Sequence, residues 1–92
     1  MNVVVTDNAQ RSRFEATVDG QLCVADYRLD IGVMTMFHTS VPRPLEGRGI
    51  ASELVRAAMA QARTRGLKVR PTCSYVARWM QRHPDAYDLL EA

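Results

Sequence analysis

Between Val41 and Ile50 the apolar rhythm of the chain changes, and this change limits the possible folds more than any other feature. Before it, apolar and polar residues alternate with a period of two; after it, apolar residues recur every three or four positions. The joint contains Pro42 and Pro44, which stop strand pairing, then Gly47 and Gly49, which allow a tight backbone path. A strand handing over to a helix in this way leaves the first-turn N–H groups open. Together with the helix dipole they attract an anion. Glu46 to Ala51 is therefore read as a phosphate-holding turn.

Upstream, Val3 to Val5 reads as a short strand closed by Asp7-Asn8. Phe14, Ala16 and Val18 alternate with Arg13, Glu15 and Thr17, Asp19-Gly20 supplies a two-residue hairpin turn, and Leu22 to Leu29 forms the partner strand. After a turn at Asp30-Ile31-Gly32, Val33 to Val41 gives a further strand. Downstream, Ile50, Leu54, Val55, Ala58, Met59 and Ala62 fall on one side of a helix, opposite Ser52, Glu53, Arg56 and Arg63; Gly66 ends it. Leu67 to Arg70 is a strand that a helical crossover allows to run parallel to the one ending near Val41. A second helix begins near Ser74, with Tyr75, Val76, Trp79 and Met80 on one face. Pro84 breaks it, and Tyr87, Leu89 and Leu90 make a last turn. The expected architecture is α+β, a mixed and mostly antiparallel sheet with two main helices, in one domain over residues 1–92.

Ninety-two residues suffice for a single core. The formal charge is +2, with Arg and Lys dispersed, which suits a small anionic ligand better than a nucleic acid. The short apolar run at Met1 to Val5 has neither the length of a signal segment nor that of a membrane span, so a cytoplasmic location and no membrane partner are expected. Cys23 and Cys73 form no CxxC or Cys/His cluster, so no metal and no disulfide are expected.

Two familiar phosphate motifs do not match Glu46 to Ser52. No lysine follows either glycine as a P-loop requires, and Ser52 stands where a dinucleotide fingerprint needs its third glycine. A third does. Gly49 and Ala51 fit the pyrophosphate loop Gln/Arg-x-x-Gly-x-Gly/Ala of the GCN5-related N-acetyltransferases (GNAT), with Glu46 in place of the Gln/Arg. His38-Thr39-x-Val41-Pro42, Ala62-Arg63-x-x-Gly66-Leu67-Lys68-Val69-x-Pro71-x-Cys73-x-Tyr75-Val76 and Arg82-His83-Pro84 extend the match. The ordered set resembles a compact branch of that family, which lacks the two helices that larger members carry after the first strand.

The resemblance implies the minimal GNAT fold, with acetyl-CoA as co-substrate lying where the fourth and fifth strands splay apart, and an amine as acceptor. Thr39, Val41, Arg43, Gly47, Arg48, Gly49, Ile50, Ala51 and Ser52 would contact acetyl-CoA. Cys73 and His38 would be catalytic. Cys73 could carry the acetyl group as a nucleophile, protonate the departing CoA thiolate, or simply fill space beside the sheet. His38 is either a base towards the incoming ammonium, an orienter of the acyl carbonyl, or a hydrogen-bonded residue at a strand end. Cys23, Tyr75 and Trp79 read as core, although the wider superfamily also uses a tyrosine to protonate the CoA thiolate, and Arg78 and Arg82 read as a solvated helix face, with the 3′-phosphate of CoA as the alternative. A monomer or weak homodimer is expected.

Overall fold

The computed structural model describes residues 3–92. Five strands lie side by side in chain order: β1 (Thr6–Asn8), β2 (Arg13–Val18), β3 (Gln21–Asp30), β4 (Val33–Ser40) and β5 (Lys68–Pro71). The first four are antiparallel neighbours joined by tight turns. The fifth runs parallel to β4, because the helix α1 (Ile50–Arg65) carries the chain back to the start of the sheet. A second helix, α2 (Ser74–Gln81), follows β5, and short 3-10 segments occupy Arg43–Leu45 and Pro84–Leu89. The mixed, mostly antiparallel sheet with two main helices is thus the observed architecture.

Residues facing each other on paired strands share a sheet face, so the register divides the two faces. Phe14 and Ala16 on β2, Cys23, Ala25 and Tyr27 on β3, Met34 and Met36 on β4, and Val69 on β5 are all buried. They meet Ile50, Leu54, Val55, Ala58 and Met59 of α1 and Val76, Trp79 and Met80 of α2 in one apolar cluster. The two helices are pinned together where the Trp79 indole N–H donates to Ser52 Oγ at 2.9 Å. α1 ends as its sequence demands: Gly66, at φ +69, donates its N–H back to the last turn, and Leu67 N–H reaches Ala62 O at 2.8 Å.

On the opposite face no helix packs among the described residues. Glu15, Val24 and Asp26 are half-buried, and Arg28, His38, Ser40 and Arg70 are exposed. Thr35 is the exception, buried between its register neighbours Arg28 and Arg70, and its hydroxyl finds no hydrogen-bond partner among the described residues.

One strand differs from the sequence reading. Val3 to Val5 precede β1 without joining it, and Asp7-Asn8, expected to be a turn, are strand residues paired with Phe14 and Arg13. The polar side chains are satisfied sideways. Asp7 Oδ1 accepts the Tyr27 hydroxyl at 2.7 Å and Asn8 Nδ2 donates to Glu15, so the turn shifts to Ala9–Ser12, where Ser12 takes φ +54. Val3 and Val5 still pack on the core while Val4 is 81% exposed, so the alternation persists without a ladder.

Candidate active site

Pairing between β4 and β5 stops early. Their ladder ends at Met36 opposite Pro71, and the next two N–H groups, of Thr72 and Cys73, both turn in to Met36 O at 3.1 and 3.0 Å. The chain then enters α2. β4 runs on from Phe37 to Ser40, so its edge on that side has no strand partner among the described residues. A gap results, and across it Thr39 Oγ1 and Cys73 Sγ approach to 3.8 Å.

At the same residues β4 bulges. Tyr27 faces Met36, yet the preceding Asp26 faces His38, which leaves Phe37 as an extra residue. Without that insertion His38 would point to the helix side. With it, Phe37 and His38 both lie on the bare face, and Thr39 returns to the helix side opposite the buried Ala25. The structure therefore brings Thr39 together with Cys73 and turns His38 to the other side of the same gap.

Two residues beyond Thr39 and Cys73, Val41 and Tyr75 begin a cleft of about 410 Å³, closed by Leu45, Glu46, Gly47, Gly49, Ile50 and Ala51. Gly47 and Gly49 take φ +82 and +79, a left-handed backbone that side chains adopt at a cost. A Cβ at either would meet no protein atom within 4 Å, so the space beside this backbone is free for a ligand. Gly49 caps α1 without a side-chain hydrogen bond, which leaves first-turn N–H groups open at the cleft. The walls are otherwise largely apolar.

The remaining expected contacts divide. Arg43 is exposed in the 3-10 turn, with no ion pair among the described residues. The Arg48 guanidinium is engaged with Asp19 at 3.0 Å, bracing the loop against the β2–β3 turn. Ser52 is held by Trp79.

Tyr75 corrects the sequence reading. It is 38% exposed and lines the cleft, because the first turn of α2 lies beyond the sheet edge that buries Val76 and Trp79. Burial pushes its phenol up from the ordinary value, with Ser52 and Arg82 opposing. Cys23 and Trp79 are core, as read. His83 is a helix terminator: its ring stacks on Trp79 at 3.7 Å, and its Nδ1 lies 2.6 Å from Trp79 O. Asp26 carried no signal in the sequence, since a polar residue in an alternating strand is ordinary; only the bulge reveals its place beside His38. No group of three metal-ligating side chains occurs among the described residues.

A family model described as GCN5-related N-acetyl-transferase matches residues 13–90, which include the gap, the cleft and the glycine loop. Protein NATD1 of Xenopus tropicalis is 40% identical over 47 residues, 51% of this chain and 43% of that protein. Protein NATD1 of Homo sapiens is 35% identical over 52 residues, 56% of this chain and 46% of that protein. The match thus spans less than half of either relative. A GCN5-like protein from Staphylococcus aureus, solved by NMR, superposes with a TM-score of 0.78 at 23% identity, over 99% of this chain and 90% of that one, and so shares the fold. With the family model covering all but the two ends of the chain, this protein belongs to the GCN5-related N-acetyl-transferase family.

Proposed function

We propose that the chain transfers an acetyl group from acetyl-CoA to an amine. The observation that carries this reading is the early end of the β4–β5 ladder, which opens a gap leading directly into the glycine-lined cleft. In this reading the pyrophosphate rests on the backbone N–H groups of Gly47 to Ala51, and the pantetheine arm runs past Val41 and Thr39 along the unpaired edge of β4. Amides in that arm are suited to a strand edge, which offers unpaired main-chain groups. Arg43 meets phosphate as a charged donor. Arg48 acts chiefly by holding the loop to Asp19, and Ser52 by holding Trp79.

The thioester then lies at the Thr39–Cys73 contact. The amine attacks its carbonyl carbon, the C–S bond breaks, and the thiolate leaves with the electron pair. Backbone N–H groups of the β4 edge near His38 and Thr39 stabilise the oxyanion. Cys73 either protonates the thiolate or first takes the acetyl group itself, and mass spectrometry after incubation with acetyl-CoA tells these apart. An acetyl group on Cys73 that is lost on adding amine means the second.

Calorimetry with acetyl-CoA and with acetyl-pantetheine, which lacks the pyrophosphate, tests the donor site. Acetyl-CoA is expected to bind at least ~10-fold tighter, as one charge-assisted hydrogen bond alone contributes about 1.5–3 kcal/mol. Equally weak binding of both sinks the reading. Tight binding without CoA release in the presence of amines makes the chain a CoA-binding module instead.

A further inference from the structure

We propose that Asp26 and His38 form the ammonium site for the acceptor, which enters from the bare face of the sheet and is a monoamine with an apolar body. This rests on the acetyl-transfer reading above. The bulge at Phe37 sets His38 opposite Asp26 on the face away from the helices, at the residues where β4 parts from β5. Directly opposed residues on antiparallel strands hold their Cβ atoms roughly 4.5–5.5 Å apart, so one cation can touch both side chains. The gap itself joins the two faces. The helix side is taken by α2, Cys73 and the donor's path; the bare side is open.

The charges on that face select the ligand. Arg13, opposite Asp26 on the β2 side, binds Glu15. Arg70 binds Glu91 through two hydrogen bonds of 2.6 and 2.7 Å. Arg28 lies over the Phe37 ring at 5.8 Å. Asp26 is half-buried and has no ion pair among the described residues, so it is the carboxylate free to take a cation beside His38. Asp30, the other carboxylate of this face without an ion pair among the described residues, lies four residues further along β3 behind Arg28, so the Asp26–His38 pair fits one positive charge and Arg28 opposes a second, which disfavours polyamines. Exposed Phe37 and half-buried Val24 supply an apolar floor for the body of the amine.

The step balances as follows. The ammonium bound at Asp26 gives one proton to the His38 imidazole and becomes a neutral amine. Its lone pair forms the C–N bond at the thioester carbonyl, and the C–S bond breaks with its electron pair going to sulfur. The second proton on nitrogen ends on the CoA thiolate, and His38 returns its own to solvent. Acetylated amine, CoA thiol and one proton are the products.

Free CoA release is measured with 2-phenylethylamine and with spermidine. The expected result is a kcat/KM at least tenfold higher for 2-phenylethylamine, and a KM for it raised at least tenfold by Asp26→Asn with the acetyl-CoA Kd unchanged. Asp26→Glu, which keeps the charge, is expected to recover part of that loss and guards against a folding defect. An unchanged KM in Asp26→Asn or a preference for spermidine overturns the acceptor site alone, whereas donor binding without release by any amine overturns acetyl transfer and the acceptor site together. Failure of the wild-type protein to bind acetyl-CoA overturns the donor reading and this one with it.

Discussion

At the scale of single residues, the site separates side chains that shape backbone from those that face ligand. Gly47 and Gly49 are set by their left-handed φ and by the open space beside them, not by crowding. The two thiols differ in the same way. Cys23 is fully enclosed and burial pushes its thiol up, which leaves it inert, while Cys73 is half-exposed beside Thr39. Glu46 runs against the proposed ligand, since an acidic residue lines the cleft proposed for a pyrophosphate. Like charges ~4 Å apart in water repel by about 1 kcal/mol, so Glu46→Gln is expected to tighten acetyl-CoA binding about fivefold. The gain should shrink as salt screens the charge. Calorimetry at low and high ionic strength checks both, and weaker binding in the variant would show that Glu46 helps to hold the donor.

Among the elements, β3 is the longest strand and ties the sheet together. Its Tyr27 lies in the core beneath Phe14, 5.3 Å between ring centroids, and reaches across β2 to Asp7 on β1. Burial first, then the hydrogen bond and charge of Asp7, push the phenol up to about 12. A folded value above the ordinary 10 means that this contribution is complete below pH 10 and is lost as the pH rises from 10 to about 12. Two units correspond to roughly 2–3 kcal/mol. Tyr27→Phe is expected to lose about 1 kcal/mol at neutral pH, from the missing hydrogen bond, and to flatten the alkaline loss. Urea midpoints at pH 8, 10 and 11 measure this. An equally steep alkaline loss in the variant would assign it to other groups.

For the whole molecule, the C-terminal segment closes the sheet where β5 would otherwise be an open edge. Leu90 bridges to Val69, and Glu91 N–H donates to Val69 O at 2.9 Å. The closure is fastened by charge: Arg63 to Asp88, Lys68 to the Asp88 carbonyl, and Arg70 to Glu91. The Arg63 and Arg70 guanidinium groups hold the Asp88 and Glu91 carboxyls below the usual carboxylate range. Groups depressed in the fold stabilise it above that range, and the benefit is lost as pH falls through their lowered values. Moving from pH 7 to pH 3 should therefore lower the protection factor of the Glu91 amide more than those of amides in central β3. Hydrogen exchange read by NMR, with rates divided into the intrinsic rate at each pH, measures the difference. A uniform fall in protection would mean that the closure opens only with global unfolding.

Much of this was legible in the chain itself because it is local. Alternation over Phe14 to Val18, the Asp19-Gly20 turn, the helical period from Ile50 to Ala62 and the stop at Gly66 each follow from residues within a few positions of one another. The glycine loop was legible for the same reason. Three things were decided only by tertiary structure: the place of β1, whose polar residues are strand because Tyr27 and Glu15 satisfy them; the exposure of Tyr75, which depends on where the sheet beneath α2 ends; and the bulge at Phe37. That one extra residue, set by the register of β4 on β3, sends His38 to Asp26 and leaves Thr39 to Cys73. Side-chain period reveals a strand, but a one-residue slip reverses its faces, and only the pairing partner shows where the slip occurs.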